Sequence, residues 1–231
     1  MRLIGLDIFR GYALLLMVVF HFCFDLNNFH YVDFNLMYGD FWHYYRYIIV
    51  SMFVFASGIS LQIAYRKGII KHKFLKRLLV LGSASLAVSI GSYTQFPNTW
   101  IYFGILHFFL FASIVGVLFL KIPKIALLTG VGIILGYNLH IINMHWLYNI
   151  LQAPLHLPIR YTEDLANIFP WFGVFLLGIV FGYYKLADKF FSLKIFTAQS
   201  KFNTVFSYIG KHSLLIYLLH QPLFFGIFLL L

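Results

Sequence analysis

Charge is scarce in this chain. Only 10% of its 231 residues are Asp, Glu, Lys or Arg, against 61% hydrophobic ones, which excludes an ordinary soluble globular domain. Acidic residues are scarcer still, 7 against 17 Lys and Arg. The single cysteine, Cys23, excludes an internal disulfide framework. No His-x-x-x-His pair occurs, and His30, His43, His140, His145 and His156 are scattered, so no metal is expected. No A-x-A-like cleavage site follows the first apolar run, which Arg10 and His21 interrupt, so that run reads as a retained span rather than a signal peptide. Internal repeats and low-complexity linkers are missing too. Residues 1–231 therefore read as one integral membrane domain.

What is present is a series of apolar runs. The first, Leu3 to Leu26, is long enough to cross a bilayer, which takes about 20 residues. Later runs cover about 44–65, 78–93, 100–120, 125–142, 170–184 and 209–231, with 202–208 as an alternative interfacial stretch. The expectation is an all-α polytopic bundle of about seven transmembrane helices. Basic residues fall on alternate loops, fourteen on one side against Arg46 and Arg160 on the other, with Arg10 inside the first span. By the positive-inside rule the N-terminus is cytoplasmic and the C-terminus outside. Topology and anionic lipid account for the basic excess, so no nucleic-acid partner is expected. Gly132 with Gly136, and Gly178 with Gly182, have the spacing of small-residue packing faces.

The first run also carries what lipid excludes. Asp7, Arg10, His21 and Asp25 fall within about 60° on a helix, a polar stripe that must face protein or water. Pairing of Asp7 with Arg10 to hold neighbouring helices is the plain reading. The functional one is a reaction centre. The last run repeats the design, with Ser213, Tyr217 and His220 on one face and Gln221 beside them. His107 adds a third histidine, at about the depth of His21, whereas His220 is expected nearer the middle.

Five segments, taken in order, resemble one family. They are Arg10 to Leu26 (RGYALLLMVVFHFCFDL), Phe53 to Ser60 (FVFASGIS), Phe103 to His107 (FGILH), Phe169 to Gly178 (FPWFGVFLLG) and Gly210 to Pro222 (GKHSLLIYLLHQP). Together they resemble the small bacterial members of the heparan-α-glucosaminide N-acetyltransferase catalytic-domain family. Arg10 and His21, ten residues between them, are also similar to a basic-x10-His motif of membrane O-acyltransferases that decorate bacterial surface polysaccharides. The resemblance implies transfer of an acyl group from acyl-CoA, with acetyl-CoA the leading donor, to an extracytoplasmic carbohydrate acceptor. It also implies residence in a bacterial cytoplasmic membrane. The larger lysosomal-type members place a histidine before the loop tryptophan, whereas here His43 follows Trp42. They also have asparagine where this chain has His21.

The residue inventory suits that chemistry. A base must take the nucleophile's proton, and an imidazole is suited to it. His21 and His107 are the candidates, with Asp25, one turn on, to orient the His21 ring. Arg10 and Lys211 supply cations for CoA phosphates, and Tyr217 and His220 extend the donor site. Trp42, His43, Arg160, Glu163 and Asp164 are candidates for holding the acceptor. Trp146 and Tyr148 belong to the same outer loops. Membrane lipid is a partner, and a homodimer is left open. Two other classes stay open as well, a carrier of small anions or lipid-linked groups and a non-catalytic membrane partner protein.

Overall fold

The computed structural model of the chain describes residues 3–36, 39–159 and 162–230. Among these the structure is all helical, apart from one isolated parallel bridge between Phe103 and Leu165. The helices are α1 (Ile4–Asn28), α2 (Asp40–Tyr65), α3 (Lys71–Gln95), α4 (Ile105–Gly116), α5 (Pro123–Asn138) and α6 (His145–Gln152), then α7 (Trp171–Tyr183), α8 (Leu186–Phe190), α9 (Lys194–Thr197), α10 (Lys201–Lys211) and α11 (Ser213–Phe228). A single 3-10 turn, Val117–Phe119, extends α4.

Local chemistry sets many of the ends. Pro123 opens α5, where its missing N–H costs nothing. Ser200 caps α10 by accepting a hydrogen bond from Asn203 N at 3.1 Å. Gly68 takes a φ of 125° between α2 and α3. Three histidines, His30, His140 and His156, sit at left-handed φ of 61°, 58° and 50° just past α1, α5 and α6. Glycine or asparagine commonly holds that position.

α1, α2 and α3 are long and apolar enough to cross a membrane. The other expected spans correspond to shorter helices, of 12 residues for α4, 16 for α5, 13 for α7 and 16 for α11. At 1.5 Å per residue these reach roughly 18–24 Å, short of the 30 Å hydrocarbon thickness. Two boundaries differ from the sequence expectation. Lys71–Arg77 forms the opening turns of α3 rather than a loop, because nothing after Gly68 breaks the helix. The last run divides at His212, so α11 begins at Ser213 and Phe202–Tyr208 belongs to α10.

The chain forms two compact units, Met1–Ala56 with Lys185–Leu231, and Ser57–Tyr184. α2 contributes residues 40–56 to the first and 57–65 to the second. In the first unit α1 packs along α10 and α11. A Cβ on Gly11 would overlap the Phe206 carbonyl, and one on Gly210 would overlap the Asp7 carbonyl, so the two backbones touch. Tyr12 stacks on Phe206 with ring centroids 4.2 Å apart beside this crossing. Leu14, Met17, Phe20, Leu36 and Ile49 form the core there.

In the second unit α5 meets α7 glycine to glycine. Cβ atoms on Gly130 and Gly173 would each press on the other's carbonyl, at 3.0 and 2.7 Å. The contact therefore lies on the opposite side of α5 from the expected Gly132–Gly136 face, since two residues turn the helix by about 200°. Gly132 has open space beside it, and the atoms nearest a Cβ on Gly136 belong to Ile142, just past α5. Gly182 does meet a neighbouring helix, with Gln62 Cβ 3.0 Å from its would-be Cβ.

Candidate active site

The polar stripe of α1 runs along α10 and α11. At its start Arg10 Nη1 donates to Asp7 Oδ1 at 2.7 Å, an i,i+3 pair with Asp7 buried and Arg10 partly open. Gly210 rests on the same turn of α1, which brings the exposed Lys211 to the level of Arg10. Two cations therefore share the N-terminal end of α1. About three turns on, His21 meets His220 edge to face, ring centroids 4.9 Å apart. The sequence reading puts His220 nearer the middle, whereas its ring lies directly against that of His21.

Asp25 is fully buried one turn beyond. Its Oδ1 accepts from Gln221 Nε2 at 3.0 Å, so the carboxylate is held by α11 rather than by His21. Tyr217 packs its ring 5.7 Å from that of His220 and supplies more than a ring. Its backbone carbonyl accepts from His220 Nδ1 at 2.7 Å. Four buried polar atoms in this cluster have no hydrogen-bond partner among the described residues, namely His21 Nδ1, Asp25 Oδ2, His220 Nε2 and Gln221 Oε1. Among the described residues only the Gln62 Oε1 side-chain atom shares that condition elsewhere. Leaving buried polar atoms unpaired costs about 1–3 kcal/mol each, so four together mark a place built for something besides packing.

Trp42 belongs to the same unit and lies edge-on to Phe20 at 5.9 Å, which makes it part of the core wall. His43 is exposed, its ring 4.6 Å from Tyr47. Arg160 lies outside the described residues.

His107, Glu163 and Asp164 belong to the second unit, where they meet around the start of α4. His107 Nδ1 accepts from Gly104 N at 3.2 Å, and its Nε2 lies 3.1 Å from Ser89 Oγ, which in turn donates to Ile101 O. Since Nδ1 accepts, Nε2 carries the proton and donates to Ser89. Both nitrogens are engaged. Asp164 Oδ2 accepts from Ile105 N at 3.3 Å, and Glu163 accepts from Thr99 Oγ1 at 2.6 Å. Burial pushes the Asp164 carboxyl above the usual carboxylate range, against the Ile105 N–H, which favours the charge. Gln221 is the residue that sequence reasoning undervalued. Its place beside His220 was legible, but its carboxylate partner lies 196 positions away.

The family model for the heparan-alpha-glucosaminide N-acetyltransferase catalytic domain matches residues 2–222 of the 231. The chain belongs to that family. The match takes in α1, α2, α3 and the greater part of α11, and so every residue of the His21–His220 cluster. Comparison with curated proteins and with solved structures gives no match. Membership brings an acetyltransferase-like function to the chain, and three membrane-length helices agree with a membrane acyltransferase.

Proposed function

We propose that this heparan-α-glucosaminide N-acetyltransferase family member is a membrane-embedded acyltransferase centred on the cluster of His21, Asp25, His220 and Gln221. It moves an acyl group, acetyl in the first instance, from cytoplasmic acyl-CoA to an amine or hydroxyl of an extracytoplasmic sugar or envelope glycan. The observation that carries this reading is the set of four unpartnered buried polar atoms between α1 and α11. Arg10 and Lys211 hold CoA phosphates at the N-terminal end of α1. The acyl arm then runs along the α1 stripe, a rise of about 16 Å from Arg10 to His21 at 1.5 Å per residue. The histidine pair takes the nucleophile's proton, and the Asp25 charge stabilises the imidazolium that forms. Trp42 and His43 in the first unit, and separately Arg160, Glu163 and Asp164, are candidates for holding the acceptor, and His107 fixes the start of α4.

In this reading residues 1–231 act as one domain of about seven spans in a bacterial cytoplasmic membrane. Lipid surrounds it.

Binding of labelled acetyl-CoA by the purified protein tests the proposal. Arg10→Ala should weaken binding roughly 10- to 100-fold, the worth of a charge-assisted hydrogen bond, while the protein stays folded. Equal affinity in the variant would leave Arg10 as no more than the partner of Asp7. A wild-type protein that binds no acyl-CoA would remove the acyltransferase reading in favour of a carrier or a non-catalytic partner.

A further inference from the structure

The geometry points to His220 as the general base of the transfer, with His21 as the second imidazole that positions the reacting groups. This rests on the acyltransfer reading above and assigns the proton within it. The histidines His21 of α1, His107 of α4 and His220 of α11 are held in three different ways. His107 has both ring nitrogens engaged, one accepting from Gly104 and one donating to Ser89, so it has no lone pair to offer. His21 is held by ring contacts, to Phe20 at 5.6 Å and His220 at 4.9 Å, and its buried Nδ1 has no hydrogen-bond partner among the described residues. Nothing there fixes which nitrogen carries its proton.

His220 differs from both. Its Nδ1 lies 2.7 Å from the Tyr217 carbonyl oxygen. A carbonyl oxygen only accepts, so Nδ1 must carry the hydrogen, and the neutral ring then presents a lone pair at Nε2. That Nε2 is buried and unpartnered, on a side chain itself only 8% exposed. A base needs this arrangement: one nitrogen anchored by an acceptor, which sets tautomer and direction, and the other open toward the substrate. In a triad the anchor is a carboxylate, whereas here it is the backbone of the same helix, one turn back.

The neighbours of Nε2 serve the same step. Gln221 Nε2 donates to Asp25 Oδ1, so Gln221 Oε1 is left as an acceptor, as is Asp25 Oδ2. Three of the four open atoms therefore accept hydrogen bonds, and the group that fills the site must bring donors. A nucleophile carrying N–H or O–H does so. Its proton passes to His220 Nε2 as its lone pair forms a bond to the thioester carbonyl carbon. The tetrahedral intermediate then collapses with cleavage of the C–S bond. The proton leaves His220 for the departing sulfur, which gives free CoA thiol and the amide or ester. The buried Asp25 charge favours the transient imidazolium.

The test is a pair of substitutions compared on pH–rate profiles. Asparagine places its amide nitrogen near the position of an imidazole Nδ1. His220→Asn therefore keeps the bond to the Tyr217 carbonyl and the helix, and removes Nε2. With acetyl-CoA as donor and glucosamine or water as acceptor, His220→Asn should release CoA thiol about 10²–10⁴-fold more slowly and lose the limb that rises with pH. Its acetyl-CoA affinity by calorimetry should fall far less than its rate. His21→Asn should keep that limb with a smaller loss, because an amide replaces a neutral imidazole that only hydrogen-bonds. Turnover with an intact limb in His220→Asn overturns the assignment, as does loss of the limb in His21→Asn alone. Nitrogen-15 NMR of histidine-labelled protein, with the His220→Asn sample identifying the signal, reads the tautomer independently. A proton on Nε2 rather than Nδ1 would also overturn it. A wild-type protein that releases no CoA with either acceptor instead brings down the acyltransfer reading itself.

Discussion

Asp164 shows at the level of one residue how position and burial pull a carboxyl in opposite directions. It accepts from Ile105 N at the first turn of α4, where the helix dipole favours an anion. Burial is the larger influence and raises its pKa. A carboxyl that holds its proton more tightly when folded contributes most below its unfolded value of about 4, and that contribution is lost as pH rises through the folded value. Asp164→Asn keeps an acceptor oxygen for Ile105 and removes the titration. Thermal unfolding of the variant should therefore lose less stability than wild type as pH rises above about 4. An identical slope in the two proteins would assign the dependence to another carboxyl. The types of the candidate residues were legible in the sequence, and so was the polar face of Ser213, Tyr217 and His220 with Gln221 beside it. Their hydrogen bonds were not, because Asp25 to Gln221 and Ser89 to His107 depend on tertiary contact, which no spacing along one helix reveals.

For the elements, the glycines separate pattern from contact. The spacing of Gly132 and Gly136 advertises a packing face, yet Gly132 is open and the α5–α7 contact is made by Gly130 and Gly173. A pattern of small residues says that backbones can approach, but the partner's register says where they do. Gly210 carries the α1–α10 crossing, since a methyl there would overlap the backbone carbonyl of Asp7, which cannot swing aside. Gly210→Ala should cost about 1–3 kcal/mol, the usual penalty for overpacking, and should lower the melting temperature measured in detergent. Gly132→Ala should instead be neutral or gain roughly 0.5–1 kcal/mol from reduced chain entropy. Equal effects from the two substitutions would deny the crossing its role. Helix ends were legible where a breaker marks them, as at Pro123 and Gly68. The division at His212 was not, because no proline or glycine follows it and apolar residues continue past it.

Across the whole molecule, apolar content and the distribution of lysine and arginine carried most of the reading, and the all-helical class followed from it. The number of spans did not follow as directly. The apolar run 3–26 gave a 25-residue α1, but the run 100–120 gave a 12-residue α4, since backbone at Phe103 pairs with Leu165 outside any helix. Orientation is open to direct measurement. A reporter fused after Leu231 should be active in the periplasm, and one inserted near Gly68 active in the cytoplasm, as the basic bias requires. The reverse pattern would invert the donor and acceptor sides of the proposed reaction.

The left-handed histidines past α1, α5 and α6 bear on how this chain tolerates change. At His30, His140 and His156 the requirement is a backbone shape, and an imidazole is only one way to meet it. Glycine or asparagine would serve there with less strain, so these three sites can drift without touching the chemistry. The ten histidines of the chain thus overstate its stock of bases.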